Sequence, residues 1–344
     1  MSMYKLSVII PVYNVEDYIA STVKSLFEQH NAAIEYIFVN DCGIDNSWQV
    51  LEDTLLQYPE CAKSSKLIQL PHNGGVENAR MNGLAQATGE YIWFVDSDDL
   101  IADGAIKAIL DTLAKNPVDY LGINFQTLNP GEMIQAITGN ISVKSISAEK
   151  HFSTIIAYTG KFQATWGNII RRDLTLQYPM LKTGLKIAED YVMHCRWSIF
   201  AKSAAVLKNP VYGYVLRPHS VMRKSRSHEV MVATWHALQL LADFSRTLSK
   251  YKQKLFCESL RIVTVKMRML FFIDILNNHN RDEFERMMKY QIPAEYSLIG
   301  DLCKLPFELW LILICDRFEW YGFMRFYTMF CRKIISLKRK IRWS

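Results

Sequence analysis

The sequence lacks the features that define several classes of protein. Its seven cysteines are scattered, with no Cys-x-x-Cys pair and no histidine cluster at the spacing of metal ligands. Such a set is typical of reduced thiols in a cytosolic protein. The chain begins without the apolar region of a signal peptide. Its longest apolar run near the C-terminus, Leu309–Cys315, is far shorter than the about 20 residues that cross a bilayer. We therefore expect a cytoplasmic protein without a membrane span.

Basic residues are scarce in the first third of the chain and acidic residues in the rest. Residues 1–130 carry a net charge of −10, whereas residues 131–304 carry +11 and residues 305–344 carry +5, giving +6 for all 344 residues. No helix-turn-helix, zinc or RNA-binding signature accompanies the basic excess. We therefore expect an anionic substrate or a membrane surface as partner, and no nucleic acid.

The N-terminal part alternates between strand and helix patterns. This alternation predicts an α/β fold with a parallel sheet, in which ligands bind at the carboxyl ends of the strands. The pattern becomes irregular after about residue 130 and is mostly helical from residue 229. We predict a catalytic domain over 1–228, with halves 1–130 and 131–228, and a helical region over 229–344. The predicted N-terminal strands are Leu6–Pro11, Glu35–Asn40, Lys66–Leu70 and Tyr91–Val95.

Each predicted strand ends in a polar cluster. One such cluster is weak evidence, because a strand-ending Asp often forms a turn or caps a helix. Four clusters at one edge of a sheet, however, converge in space. The absence of Gly-x-Gly-x-x-Gly after the first strand argues against a dinucleotide-dependent oxidoreductase. The clusters are Pro11–Asn14, Asn40-Asp41, His72–Gly75 and Asp96–Asp99.

Four blocks, in this order, resemble the family-two glycosyltransferases, which are inverting enzymes of the GT-A fold. Two details depart from the family: Cys42-Gly43 replaces the common Gly-Ser, and Asn82 lies one place later than the usual asparagine. The resemblance covers about residues 5–220. It implies a Rossmann-like, mostly parallel sheet flanked by helices, with a helical C-terminal region. The blocks are Ser7–Asn14, Val39–Ser47, Asn73–Gly83 and Phe94–Asp99.

The resemblance implies a UDP-sugar donor and a divalent ion, Mn²⁺ or Mg²⁺, that neutralises the leaving diphosphate. By this match Asp98 is a metal ligand and Asp96 lies beside the ribose or the metal. Asp41 is expected to accept a uracil N–H, and Tyr13 to stack on the ring. Arg80 would face the diphosphate or the uracil. The implied donor set is Pro11, Tyr13, Asn14, Asp41, Asn73, Arg80, Asp96 and Ser97.

Simpler explanations stay open for three of the N-terminal residues. Asp99 is equally well explained as the N-cap of a helix over Leu100–Leu113. The alternative for Tyr13 is a buried tyrosine at a strand end, and the alternative for Arg80 is a surface arginine.

The second half of the chain must supply an acceptor site and a base. The segment Lys186–Tyr191 resembles the family's Glu-Asp block, which implies that Asp190 is the base and that Glu189 supports it. The alternative is that both acids only begin a helix over Tyr191–Phe200. The resemblance also places Trp166 and Asn168 beside the acceptor. It makes Arg217, His219 and Arg223 candidate phosphate contacts, with a solvated basic loop as the alternative.

Residues 318–344 form an amphipathic helical pattern with basic residues opposite an apolar face. Such a helix is typical of contact with anionic lipid, although it could instead pack on its own domain or on a second subunit. The apolar positions are Phe323, Phe326, Tyr327, Phe330, Ile334, Leu337 and Ile341, and the basic ones are Arg325, Arg332, Lys333, Arg339 and Lys340.

The sequence thus predicts an inverting, metal-dependent glycosyltransferase. It would move a sugar from a UDP-sugar to a hydroxyl of a glycan or lipid-linked glycan during cell-surface polysaccharide assembly, at the cytoplasmic face of the inner membrane. The alternative is a non-catalytic, nucleotide-sugar-binding scaffold at that surface. The oligomeric state is left open.

Overall fold

The computed structural model describes residues 4–156, 164–217, 228–257, 259, 260 and 263. The backbone divides into two compact units, Met1–Ser225 and Arg226–Ser344. Each unit is described by itself.

The described part of the first unit is built on a nine-stranded sheet with the order β3-β2-β1-β4-β8-β6-β9-β5, in which β7 pairs with β9. The strands β3, β2, β1 and β4 run parallel to one another, as predicted. The strand β8 runs antiparallel to both of its neighbours, β4 and β6. The strands are β1 (Leu6–Val12), β2 (Ile34–Asn40), β3 (Ser65–Gln69), β4 (Tyr91–Phe94), β5 (Leu100–Ile101), β6 (Tyr120–Leu128), β7 (Val143–Ile146), β8 (Asn168–Arg171) and β9 (Ala204–Val215).

Helices cover both faces of the parallel part, which is why every residue of β1 is buried. Alternate β1 residues, Val8 and Ile10 among them, share a core with α1, α2 and α5. The helices of this unit are α1 (Ile19–Phe27), α2 (Ser47–Leu56), α3 (Pro59–Lys63), α4 (Val76–Gln86), α5 (Ala105–Lys115), α6 (Ala148–Ile156), α7 (Arg172–Gln177) and α8 (Glu189–Ser198).

The helix α4 lies unusually close to the sheet. A Cβ atom added at Gly83 would lie 2.4 Å from the Cγ2 atom of Ile9 and 3.2 Å from that of Val39. Only glycine therefore fits at this crossing without a shift of the helix. The close approach brings the side chains of α4 to the carboxyl edge of β1 and β2.

The predicted helix over Leu100–Leu113 is wrong at its start. Leu100 and Ile101 form the short strand β5, which pairs with β9, and α5 begins only at Ala105. The residue before α5 is Gly104, so Asp99 is not a helix cap. A strand of two residues is fixed by a distant partner rather than by a local pattern, which explains the error.

The described part of the second unit contains the helix α9 (His228–Ser245). Its buried residues include Trp235, Leu238, Leu241 and Ala242, which recur at helical spacing. No helix in the described residues combines the length and the apolar character that crossing a membrane requires. The predicted amphipathic helix over 318–344 lies outside the described residues.

Candidate active site

The carboxylate of Asp41, just after β2, holds the loop that leads into α4. Its Oδ1 accepts the backbone N–H of Gly74 at 2.8 Å, and its Oδ2 accepts that of Gly75 at 2.9 Å. Gly75 has φ = +83°, a conformation that favours glycine. Asn73 supports the same turn by accepting the Gly75 N–H at 3.0 Å. Each Asp41 oxygen keeps a lone pair for a further donor such as the predicted uracil N–H.

The residues after β1 present an aromatic ring to solvent. Tyr13 is 44% exposed, so the alternative of a buried tyrosine is wrong. Asn14 adopts φ = +51°, and its Oδ1 accepts the N–H of Ile44 at 2.9 Å. Pro11 is buried within β1, opposite Val39 of β2. These contacts fix the backbone on both sides of the exposed Tyr13 ring.

Asp99 joins the acidic segment after β4 to strand β9. Its Oδ2 accepts the hydroxyl of Tyr212 at 2.6 Å and its Oδ1 accepts the N–H of Val215 at 2.8 Å. The Tyr212 oxygen in turn accepts the N–H of Asp96 at 3.2 Å. Ser97 is buried, and its carbonyl accepts the Thr22 hydroxyl at 3.0 Å. Asp99 therefore fixes the segment in place and does not face the site.

Asp98 forms an ion pair with Arg217, whose guanidinium lies 5.5 Å from the centre of the Tyr18 ring. Burial and the nearby Asp96 raise the pKa of Asp98 to about 6, while Arg217 opposes that rise. Arg217 thus lies at the acidic segment, and its role as a phosphate contact stays a prediction. The other two predicted phosphate contacts, His219 and Arg223, lie outside the described residues.

Arg80 connects the donor half of the site to the Glu-Asp block. Its Nη2 donates to Asp96 Oδ1 at 3.0 Å and its Nη1 donates to Glu189 Oε1 at 2.9 Å. The side chain is buried, so the alternative of a surface arginine is wrong. Burial alone would lower the pKa of Arg80, but the charges of Asp96, Glu189 and Asp190 outweigh it and raise the pKa.

Glu189 and Asp190 are the first two residues of α8, after Ala188 at φ = +67°. Burial and the Asp190 charge raise the pKa of Glu189 to about 7, against the effect of Arg80. Burial raises the pKa of Asp190 too, again opposed by Arg80, and Asp96 adds to the rise. The two acids begin a helix, as the alternative held, and they also lie at the acidic edge of the sheet.

Trp166 and Asn168, the predicted acceptor residues, are both buried. Trp166, in a 3₁₀ turn over Thr165–Gly167, stacks on the Tyr212 ring at a centroid distance of 4.5 Å. Asn168 is fully buried and its side-chain amide donates to the Ala164 carbonyl at 3.4 Å. Their acceptor role stays a prediction.

Glu77 of α4 is a buried acid that the sequence did not single out. Its Oε1 accepts both the N–H and the hydroxyl of Thr183, at 2.9 and 2.7 Å, and its Oε2 accepts the N–H of Gly184 at 3.2 Å. The one available signal was its position three residues before Arg80, which places both on one face of a helix.

Asp96 and Asp98 are suited to a hard divalent ion because carboxylate oxygens are the donors that Mg²⁺ and Mn²⁺ prefer. The two carboxylates are close enough that the charge of Asp96 adds to the effect of burial in raising the pKa of Asp98. Within the described ranges no three His, Cys, Asp or Glu side chains cluster as a metal site.

The sequence family follows from comparison with known proteins. The family described as "Glycosyl transferase family 2" matches residues 7–175. This range includes the cluster that contains Asp41 and the cluster that contains Asp98. Over these residues the chain belongs to this family. A Bacillus subtilis relative, the uncharacterized glycosyltransferase EpsJ, is 36% identical over 227 residues, or 63% of this chain and 62% of EpsJ. The Staphylococcus aureus poly(ribitol-phosphate) β-N-acetylglucosaminyltransferase TarS is 28% identical over 222 residues, or 62% of this chain and 36% of TarS. The matched region thus spans less than two thirds of either relative.

Solved structures confirm the GT-A type of fold expected of the family. TarS 1–349 in complex with UDP-GlcNAc has a TM-score of 0.56 at 22% identity, covering 83% of this chain and 93% of TarS 1–349. The mannosyltransferase PcManGT of Pyrobaculum calidifontis, in complex with GDP-Man and Mn²⁺, has a TM-score of 0.52 at 14% identity, covering 92% and 87%. At these identities the likeness concerns the fold alone.

Proposed function

We propose that this family-two protein is an inverting, metal-dependent glycosyltransferase that moves a sugar from a UDP-sugar to a hydroxyl of a glycan or lipid-linked glycan. The observation that carries the proposal is the buried Arg80, which joins Asp96 and Glu189 at the carboxyl edge of the sheet. Through it, the candidate diphosphate and metal residues lie next to the candidate base. That arrangement suits a group transfer that needs both.

The donor would bind along the edge formed by the ends of β1, β2 and β4. The exposed Tyr13 ring supports stacking on uracil, and Asp41 retains acceptor capacity for its N–H. UDP-GlcNAc bound to TarS agrees with a UDP-sugar as donor. Asp96 and Asp98 would hold Mn²⁺ or Mg²⁺, which would supply charge neutralisation for the diphosphate.

Asp190 would act as the general base in a single displacement. The acceptor hydroxyl oxygen attacks the anomeric carbon, its proton passes to the Asp190 carboxylate, and the bond between that carbon and the diphosphate oxygen breaks. UDP leaves with the electron pair of the broken bond. Burial raises the pKa of Asp190, which strengthens it as a base. Attack from the face opposite the leaving group inverts the anomeric centre.

The setting that best fits the relatives is the assembly of a cell-surface polysaccharide on the cytoplasmic side of the membrane. TarS is named for glycosylating poly(ribitol-phosphate), and such a phosphate-rich acceptor suits the net charge of +11 over residues 131–304. The domain division at 228 and the contact of residues 318–344 with anionic lipid belong to the same proposal.

The test is the release of UDP by the full chain from a panel of UDP-sugars, with and without glycan acceptors. Asp190→Asn should lower kcat by roughly 10²–10⁴ and leave UDP affinity nearly unchanged. Asp53→Asn, on the exposed side of α2, is the matched control. A wild-type chain that binds UDP-sugars but never releases UDP would instead be the nucleotide-sugar-binding scaffold.

A further inference from the structure

The segment that leads into α8 is held by one carboxylate from the other half of the site. Glu77, in the first turn of α4, accepts three hydrogen bonds, and all three come from Thr183 and Gly184. The Thr183 hydroxyl also accepts the N–H of Leu185 at 3.1 Å. The Glu77 side chain is thus the centre of a small network that fixes the turn at 183–185.

This turn has little else in its sequence to fix it. Gly184 is exposed at φ = +70°, and Ala188, directly before α8, lies at φ = +67°. An L-residue in the left-handed region is unfavourable by about 1 kcal/mol or more and persists only when its surroundings hold it. The backbone before Glu189 therefore depends on external contacts for its path.

The helix α4 supplies two such contacts from one face. Glu77 holds the turn at 183–184, and Arg80, one turn further along α4, holds Glu189 at 2.9 Å. The two attachments lie on either side of the strained Ala188. The close packing of Gly83 on Ile9 and Val39 fixes α4 itself against the sheet.

We propose that Glu77 is a positioning residue for the transfer step, which fixes the orientation of the first turn of α8 and hence of Asp190. The inference rests on the proposed function, in which Asp190 receives the acceptor proton. Glu77 touches neither the donor nor the acceptor in this proposal. A displacement of about 1 Å of a catalytic group is enough to cost about 10²-fold in rate.

A merely structural role would lower stability without separating kcat from the donor KM. Glu77→Gln keeps the size of the side chain but cannot accept the Gly184 N–H with its amide nitrogen. Thr183→Val removes the hydroxyl at a half-exposed site, and Thr183→Ser restores it. Glu60→Gln, an exposed acid of α3, is the charge-matched control.

The experiment combines steady-state kinetics with hydrogen exchange on the full chain. We expect Glu77→Gln and Thr183→Val to lower kcat by about 10-fold or more at an unchanged donor KM, and Thr183→Ser to recover most of the loss. Amide exchange should become faster over residues 183–192 and stay unchanged in β1 and β2.

Two results would overturn the proposal. Unchanged exchange over 183–192 in both variants would mean that Glu77 does not hold the turn. Faster exchange with a wild-type kcat would mean that the held turn does not position Asp190. The exchange measurement needs no substrate, so it decides the role of Glu77 at this turn even where the wild-type chain transfers no sugar and the proposed function itself fails.

Discussion

A single buried cation balances three acids at the centre of the site. Arg80 donates to Asp96 and Glu189, and Asp190 adds a third negative charge. The planar guanidinium can donate to two carboxylates at once, whereas a lysine ammonium is a single compact charge. Removing one partner of a buried ion pair leaves the other charge buried without a counter-charge. The resulting loss of folding stability is larger than the stability that the intact pair contributes.

Arg80→Ala should therefore lower the free energy of unfolding by about 3 kcal/mol or more at pH 8. Without the arginine the folded-state pKa of Glu189 rises further above its ordinary value. A carboxyl group whose pKa is raised in the folded state lowers the free energy of unfolding as the pH rises through that pKa. The difference in free energy of unfolding between wild type and variant should therefore shrink as the pH falls to 5.5. Urea unfolding at both pH values measures this. The exposed Arg246→Ala serves as control, and a pH-independent loss would contradict the charge argument.

The acidic segment leads to a prediction about the metal. Chelation with EDTA should abolish transfer, and Mn²⁺ or Mg²⁺ should restore it, because two carboxylates and a diphosphate need a divalent counter-charge. Asp98→Asn should raise the metal concentration needed for half-maximal activity. Full activity of Asp98→Asn in the presence of chelator would contradict the assignment of Asp98 as a ligand.

At the scale of elements, the opposite end of the sheet is joined by another buried acid. Glu35 of β2 accepts from Ser7 of β1 at 2.6 Å, and from the N–H groups of Thr88 and Gly89, just before β4, at 2.6 and 3.0 Å. Its second oxygen pairs with Lys66 of β3 at 2.8 Å. One carboxylate therefore ties together four neighbouring strands at the end remote from the site.

Glu35→Gln should lower the free energy of unfolding by about 1–3 kcal/mol at pH 7, because the charge-assisted bonds weaken. Burial alone would raise the pKa of Glu35, but Lys66, Ser7 and Thr88 outweigh it, and the net pKa is lowered. A carboxyl group whose pKa is lowered in the folded state stabilises the fold at pH values above its unfolded-state pKa, and this stabilisation is lost as the pH falls through the folded-state pKa. The difference between wild type and variant should thus shrink between pH 5 and pH 3, as followed by urea unfolding. A difference that grows in acid would contradict this account.

The elements also show which parts of the fold a sequence can predict. The strands β1, β2 and β4 were predicted because strands buried on both faces are short apolar runs between polar clusters. The strands β5 and β7 were not, since their pairing with β9 depends on residues about 60 or more positions away. For the same reason the bonds from Asp99 to β9 and from Glu77 to the turn at 183–184 have no local signal. The convergence of the strand-end clusters, by contrast, could be predicted from the sequence, because parallel strands have their carboxyl ends at one edge of the sheet.

At the scale of the whole molecule, charge is divided between the ends of the chain. The excess of acids lies in residues 1–130, which contain the proposed donor site, and the last 40 residues carry +5. Asp96 and Glu189 are paired with Arg80, and Asp98 is paired with Arg217. The basic C-terminal residues are a separate group, and the sequence predicts that they serve a different anion.

We expect residues 318–344 to bind anionic lipid through two separable contributions, one electrostatic and one apolar. Each Lys or Arg near an anionic surface contributes ~1 kcal/mol, and this attraction falls off within a Debye length of ~8 Å at physiological salt. An apolar face buried in the interface contributes a part that salt does not screen. Replacing Phe326 and Phe330 by Ser should therefore weaken binding at every salt concentration. Replacing the five basic residues by Gln should remove the salt dependence; these are Arg325, Arg332, Lys333, Arg339 and Lys340.

Co-sedimentation of the full chain with anionic and with neutral vesicles, at low and high salt, measures both contributions. Release of UDP from the donor without lipid should be unchanged in either variant, because neither set of substitutions replaces a residue assigned to the proposed donor site. Transfer to a lipid-linked acceptor should fall with vesicle binding. Equal vesicle binding by wild type and both variants would show that these residues do not meet the membrane. A loss of folded protein in the Phe326 and Phe330 variant alone would show instead that the apolar face packs within the protein.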